Sequence, residues 1–162
     1  MDEEIAETPG DTPALRALTA AGIAHTVTRH GPVGSLAEAA ERRGVEPGAI
    51  VKTMVVRRGA GDHLFVLVPG DRAISWPKLR ALLGVKRMSM PDAETAREVS
   101  GYERGTITPF GAATTLPVVA DERIVGRTIS LGGGAHGVAA TLAADDVIAH
   151  LGAQVADVTE PA

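Results

Sequence analysis

Two short apolar, β-branched runs, residues 49–56 and 63–68, flank the hexapeptide Arg57-Arg58-Gly59-Ala60-Gly61-Asp62. Runs of this length suit strands better than helices, and a connection so rich in turn residues joins them as a hairpin. Within the first run stands one cation, Lys52. The run reads as a strand buried on both faces, where an ammonium must be paired with an acid or kept for something that enters the site. The alternative is a strand-end lysine that snorkels to water. Lysine occurs only at Lys52, Lys78 and Lys86 among 16 basic residues, so arginine is the usual cation here.

The remaining pattern alternates helix and strand without repeats. Apolar residues recur at helical spacing over 14–21 and stop at Gly22, after which 23–30 alternates like a strand. Ser35 caps a helix over 36–43, Glu38 completes a capping box, and Gly44 ends it. Ser75 caps a helix ending at Gly84, and a second runs from Asp92 to Val99. A hairpin is expected across Asp121-Glu122 between 118–120 and 123–125, then a strand over 128–131. Asp145 or Asp146 caps a last helix, and 155–158 forms a terminal strand. The fold class expected is α+β (mixed α/β): a single domain with a mixed, largely antiparallel central sheet and helices packed around it. Residues 1–13 read as an acidic tail and 14–158 as the domain.

At 162 residues the chain can bury a sizeable core. Cysteine is absent, which removes disulfides, thiolate metal sites and a cysteine nucleophile and fits a reducing cytoplasm. The acidic N-terminus lacks the pattern of a signal peptide, and no 18-residue apolar run offers a membrane span. The net charge is −4, yet five acids fall in the first eleven residues, leaving the remainder at +1. Residues 57–97 hold eight basic side chains against four acids, a local excess that can meet phosphates or simply face water. Four aromatics, scattered, are too few for a base-stacking platform.

Several motifs invite chemistry. Ser75-Trp76-Pro77-Lys78 fits S-x-x-K, but its companion motifs are missing and a serine before a proline at a helix start is ordinary capping. Gly132-Gly133-Gly134-Ala135-His136-Gly137 satisfies G-x-G-x-x-G after a strand, with Asp157 about twenty residues on. Residues 138–142, however, read as strand or helix, where a dinucleotide fingerprint requires a helix. The loop is otherwise a glycine-rich turn or a loop whose amides face a ligand. His136 sits within it. His25 and His30 face opposite sides of one strand, and His63 and His150 flank a turn and end a helix, so no metal site is expected.

The stretch Gly101 to Gly111, with three glycines and Pro109, is a loop long enough to fold over a small ligand. Gly105-x-x-x-Pro109 with Pro109-Phe110-Gly111, Val51-Lys52-Thr53 on its apolar strand, His30-Gly31-Pro32, and Gly132 to Gly137 followed by Leu142 and Asp146-Val147 together resemble the YbaK-type aminoacyl-tRNA editing domain. The resemblance runs from Ala14 to Leu151.

That resemblance implies a trans-acting deacylase that hydrolyses the ester of a small mischarged amino acid (alanine, cysteine or serine) on tRNA, chiefly proline tRNA, without metal or cofactor. It implies a cytoplasmic protein whose partners are the mischarged tRNA and, as a candidate, prolyl-tRNA synthetase. Lys52 and Gly105 take the catalytic positions: the cation on the carbonyl or a terminal ribose oxygen, the loop amides on the oxyanion or the water. Thr28, His30, Thr53, Thr106, Pro109, Phe110, Gly132, Gly133, Gly134 and His136 are the substrate-binding candidates, and Arg57 and Arg58 the tRNA contacts. Three positions depart from the family pattern: Gly132 where serine is common, Ala139 where cysteine-directed members carry an acid, and Thr28 where an aromatic is usual. These point away from cysteine and toward alanine. Two other classes stay open: a non-catalytic module that binds aminoacyl-tRNA or an amino acid, and a dinucleotide-dependent enzyme using the Gly132 to Gly137 loop.

Overall fold

A computed structural model describes residues 12–162. The expected acidic tail thus lies almost wholly outside the described residues. The chain forms α1 (Pro13–Ala20), β1 (His25–Arg29), α2 (Leu36–Arg43), β2 (Val51–Gly59), β3 (Asp62–Pro69), β4 (Arg72–Ile74), α3 (Trp76–Leu83), α4 (Ala93–Ser100), β5 (Val118–Asp121), β6 (Thr128–Gly132), β7 (Val138–Ala143), α5 (Ala144–Leu151), β8 (Gln154–Ala156) and β9 (Thr159–Pro161).

Local chemistry fixes most boundaries. Ser35 Oγ accepts from Glu38 N–H at 3.1 Å, and Glu38 reaches back to Gly34 N–H rather than to Ser35. Ser75 accepts from Lys78 N–H and Asp92 from Thr95 N–H, so both helices start on side-chain caps. The Ser75 hydroxyl is therefore a cap, and Lys78 binds Asp157 at 3.0 Å. Gly44, Gly84 and Gly101 end their helices in the left-handed region.

The strands fall into three sheets rather than one: β1-β7-β6, β2-β3-β5-β8 and the pair β4-β9. β2 and β3 form the expected antiparallel hairpin, while β5 and β8 add in parallel. Odd residues of β2 (Val51, Val55) enter the larger core with α1, β6 and β7. Even residues face a second core in which Val56, Leu64, Val66 and Val68 meet Ile74, Leu79 and Val158. Apart from Lys52 and the turn end at Arg57, the hairpin is thus largely covered on both faces.

Four expectations change. The hairpin across Asp121-Glu122 is instead a 3-10 turn, Glu122–Ile124, because Asp121 turns inward to accept from Arg123 N–H, Val158 N–H and the Thr159 hydroxyl. The last helix is capped at Ala143, with Asp145 and Asp146 in its first turn. The terminal strand is split into β8 and β9, and β9 carries the pairing beyond residue 158. Residues 138–143 are a strand, β7, antiparallel to β6, so no helix follows the Gly132 to Gly137 loop and the dinucleotide reading fails.

Candidate active site

Lys52 is exposed, which corrects the buried-ammonium reading: β2 is an edge strand, and its even face at this point opens to solvent. Its Nζ donates to the Arg72 carbonyl at 3.0 Å, leaving two N–H donors without a hydrogen bond among the described residues. The carbonyl belongs to β4, whose position is set by β9 through Arg72 Nε to Thr159 Oγ1 at 2.7 Å.

Lys52, Gly105 and Gly132, drawn from three distant parts of the chain, line one cavity of about 210 Å³ together with Thr53, Ile107 and Arg43. Gly105 also lines a second cavity of about 220 Å³ beside Thr53 and Val55, and a third of about 420 Å³ beside His30 and His136. It adopts φ +88°, and an added Cβ would meet only His136 Cε1 at 3.9 Å. Glycine is needed there for backbone conformation, not for space. The turn's hydrogen bonds run from Thr106 N and Oγ1 to the Glu103 carbonyl.

Arg43 is the residue that sequence reasoning missed. It lines both the Lys52 and the His30 cavities, and donates from Nε to His30 Nε2 at 3.4 Å and from Nη1 to Ser130 Oγ at 3.3 Å. Burial pulls its pKa below the ordinary guanidinium value. The signal was present in α2: Arg42 pairs with Glu38 one turn back at 3.6 Å, which turns the next residue toward a different face. His30 Nδ1 lies 2.8 Å from the Gly31 carbonyl, so the ring carries its proton on Nδ1 and accepts at Nε2. His136 is exposed and its Nε2 lies 3.3 Å from Glu103 Oε1, joining the two loops across the mouth of the third cavity.

Other candidates lie elsewhere. Phe110 is core, stacked on His150 with ring centroids 5.8 Å apart, and Thr106 is buried holding its turn. Thr28, Pro109, Gly133 and Gly134 line none of these three cavities. The glycine loop owes its composition to packing: Gly133 N–H donates to the Val138 carbonyl, the Gly133 carbonyl accepts from Thr12 Oγ1 at 2.7 Å, and a Cβ on Gly134 would stand 2.9 Å from Tyr102 Cε1. Tyr102 itself ties down the Gly105 loop by donating to the Phe110 carbonyl at 2.8 Å, and burial pushes its pKa up to about 12. The three departures Thr28, Ala139 and Gly132 are cross-strand neighbours in one row over β1, β7 and β6. The linear sequence does not show this adjacency.

Arg57, Arg80, Lys86 and Arg87 line a separate open groove of about 590 Å³, joined by Arg58, whose charge is engaged by Asp62 at 3.0 Å. The groove begins about 17 Å along β2 from Lys52, five residues at strand rise. A further groove of about 520 Å³ along α2 and Arg127 holds none of the expected residues.

A loop carrying Gly105, a lysine on an edge strand and a glycine-ended strand converge on one small cavity. Residues 30–149 match the aminoacyl-tRNA editing domain, and the chain belongs to that family. It is 27% identical over 121 residues to the "Putative Cys-tRNA(Pro)/Cys-tRNA(Cys) deacylase EbsC" of Enterococcus faecalis, covering 74% of each chain. It is 36% identical over 96 residues to the proline–tRNA ligase of Heliobacterium modesticaldum, spanning 57% of this chain but 16% of the ligase. Among solved structures, "Crystal structure of a putative trans-editing enzyme for prolyl tRNA synthetase" is 29% identical with TM-score 0.80, covering 90% of this chain and 93% of that one. Among the described residues no helix is long and apolar enough to cross a membrane.

Proposed function

We propose that the chain is a trans-acting aminoacyl-tRNA deacylase that clears a small mischarged amino acid, alanine before cysteine, from proline tRNA. The observation that carries this reading is the convergence of Lys52, Gly105 and Gly132 on one cavity of about 210 Å³. An aminoacyl ester is already activated, so hydrolysis needs a placed water and a stabilised oxyanion rather than a protein nucleophile. Water oxygen adds to the ester carbonyl. The oxyanion is held by a free N–H of Lys52 and the Gly105 amide, the carbon–oxygen ester bond breaks, and the departing ribose oxygen takes up the water's proton. Arg43, placed between the Lys52 and His30 cavities, fixes the relation of His30 to the reacting centre.

The basic groove fits the same reading. With the ester at Lys52, the phosphates of an acceptor arm some 17 Å away along β2 fall beside Arg57, Arg80, Lys86 and Arg87. In the row Thr28, Ala139 and Gly132 only Gly132 lines the cavity, and none of the three supplies a carboxylate or a serine hydroxyl to hold a substrate thiol. Initial rates on alanyl-, cysteinyl- and prolyl-tRNA(Pro) at one enzyme concentration test the proposal. Alanyl-tRNA is expected to be cleared fastest and prolyl-tRNA, whose ring is bulkier and stiffer, to be spared. Cysteinyl-tRNA cleared more than about tenfold faster than alanyl-tRNA would overturn the specificity, and binding without turnover on all three would make the chain a binding module.

A further inference from the structure

We propose that the second cavity, beyond Gly105, seats the terminal adenine of the tRNA and that the open edge of β2 reads it; the inference rests on the deacylase reading. β2 is the edge strand of its sheet. Its outer edge is bridged at Ile50 to Ser130 and at Arg57 to Ser89, and between these points Thr53 and Val55, paired to β3 on their inner side, have no strand partner on the outer side among the described residues. Arg57 N–H donates to the Ser89 carbonyl at 2.7 Å and Ser89 N–H to the Arg57 carbonyl at 3.1 Å, so both backbone groups of Arg57 point outward. Backbone direction repeats every second residue in an antiparallel strand. The Thr53 carbonyl and the Val55 N–H therefore point outward side by side.

Proline holds this edge open. Continuing the Arg57–Ser89 register would set Pro91 against Val55, but proline has no N–H, and its carbonyl accepts from Arg104 Nη2 at 3.2 Å. The chain departs there, leaving the cavity of about 220 Å³ with the β2 edge as its floor, Met90, Ala96 and Ile107 among its walls and Arg104 at its rim. Thr53 also lines it, 9% exposed, and its buried hydroxyl has no hydrogen-bond partner among the described residues. Unmatched donors and acceptors in an apolar pocket are costly unless a ligand meets them.

The pattern offered, a carbonyl on residue i and an N–H on residue i+2, complements a flat ring bearing an exocyclic amine beside a ring-nitrogen acceptor. Adenine presents that pattern with its N6 amine and N1. Thioether and aliphatic walls with a guanidinium at the rim suit a π-face. An alanine methyl would fill little of this space and meet neither backbone group. Val55 lies about 10 Å from Lys52 along the strand, a gap that one ribose bridges, so base and ester occupy adjoining cavities that share Thr53 and Gly105.

The test uses 3′-deoxy-3′-(L-alanylamido)adenosine, which resists hydrolysis, and its inosine counterpart, equal in size but with donor and acceptor reversed. Calorimetry on the whole chain should show the adenosine compound binding at least about tenfold more tightly. Met90→Trp, which fills the cavity from a side chain 39% exposed, should bring the two to parity. The backbone amide resonance of Val55 should move with the adenosine compound and stay with the inosine one. Equal affinities, a preference unchanged in folded Met90→Trp, or a Val55 amide that does not respond would each overturn the seat. Alanyl-tRNA turnover with no purine preference sinks the adenine seat alone; purine preference with no turnover on any aminoacyl-tRNA sinks the deacylase reading alone.

Discussion

Replacing Lys52 with alanine separates chemistry from folding, because the side chain is exposed and among the described residues makes a single hydrogen bond, to the Arg72 carbonyl at 3.0 Å. Loss of that exposed contact should cost the fold no more than about 0.5 kcal/mol, in line with surface substitutions generally. For a chain of this size the melting temperature should then fall by less than about 2 °C. Catalysis should suffer far more, since removing one donor to a developing oxyanion costs roughly 10² to 10³ in rate. Lys52→Arg should fail as well. Its longer planar fork cannot keep one N–H on the Arg72 carbonyl and another on the substrate from the same position. Single-turnover deacylation of alanyl-tRNA(Pro), read beside thermal melting, checks both halves. A folded Lys52→Ala protein that deacylates within about threefold of the parent would refute the assignment of Lys52 to the oxyanion.

Three further outcomes are expected. Reversing Arg57 and Arg58 together to glutamate should weaken tRNA association and lower its log–log salt slope by about 0.7–0.9, since Arg57 is the freer cation and Arg58 is engaged by Asp62; slopes equal to the parent's in a salt titration would count against the groove. Gly137→Ala should lower the melting temperature by at least about 4 °C, because φ +75° costs an L-residue about 1–2 kcal/mol and the added Cβ would press on the His30 carbonyl; an unchanged melt would show that the loop gives way freely. Hydrogen bonds from Arg123 and then Lys78 hold the Asp157 carboxyl down to about 2. A depressed carboxylate stabilises fully above its unfolded value, about 3.9, and loses that contribution as pH falls toward the folded value. The stability gap between parent and Asp157→Asn, from denaturant midpoints, should therefore shrink from pH 5 to pH 3, and a gap that widened would reverse the assignment.

Features set by neighbouring residues were legible in the sequence. Ser35, Ser75 and Asp92 announce helix starts by their place before helical runs, and the hairpin of β2 and β3 follows from composition alone. Features set by distant partners were not. Lys52 looked buried because its neighbours are apolar, yet exposure depends on β2 lying at a sheet edge, which pattern cannot give. Phe110 stands in the right motif for substrate contact but is held in the core against His150. Arg43 read as one more charge on a helix surface until α2 was laid beside Ser130. Thr28, Ala139 and Gly132 were each noticed singly, and only sheet register makes them neighbours.

The strap formed by β9 has a consequence in time. Arg72, whose carbonyl fixes the Lys52 amine, is itself secured by Thr159, 87 positions further along the chain. Thr12, at the head of α1, secures Gly133 across 121 positions. Closing loops of that span is slow compared with forming hairpins and helices, so these contacts arrive last as the chain folds. During synthesis the β2–β3 hairpin can pair early, but the amine finds its resting place only after residues 159–161 have left the ribosome. A nascent chain would thus hold its fold in outline well before the Lys52 amine is fixed in place.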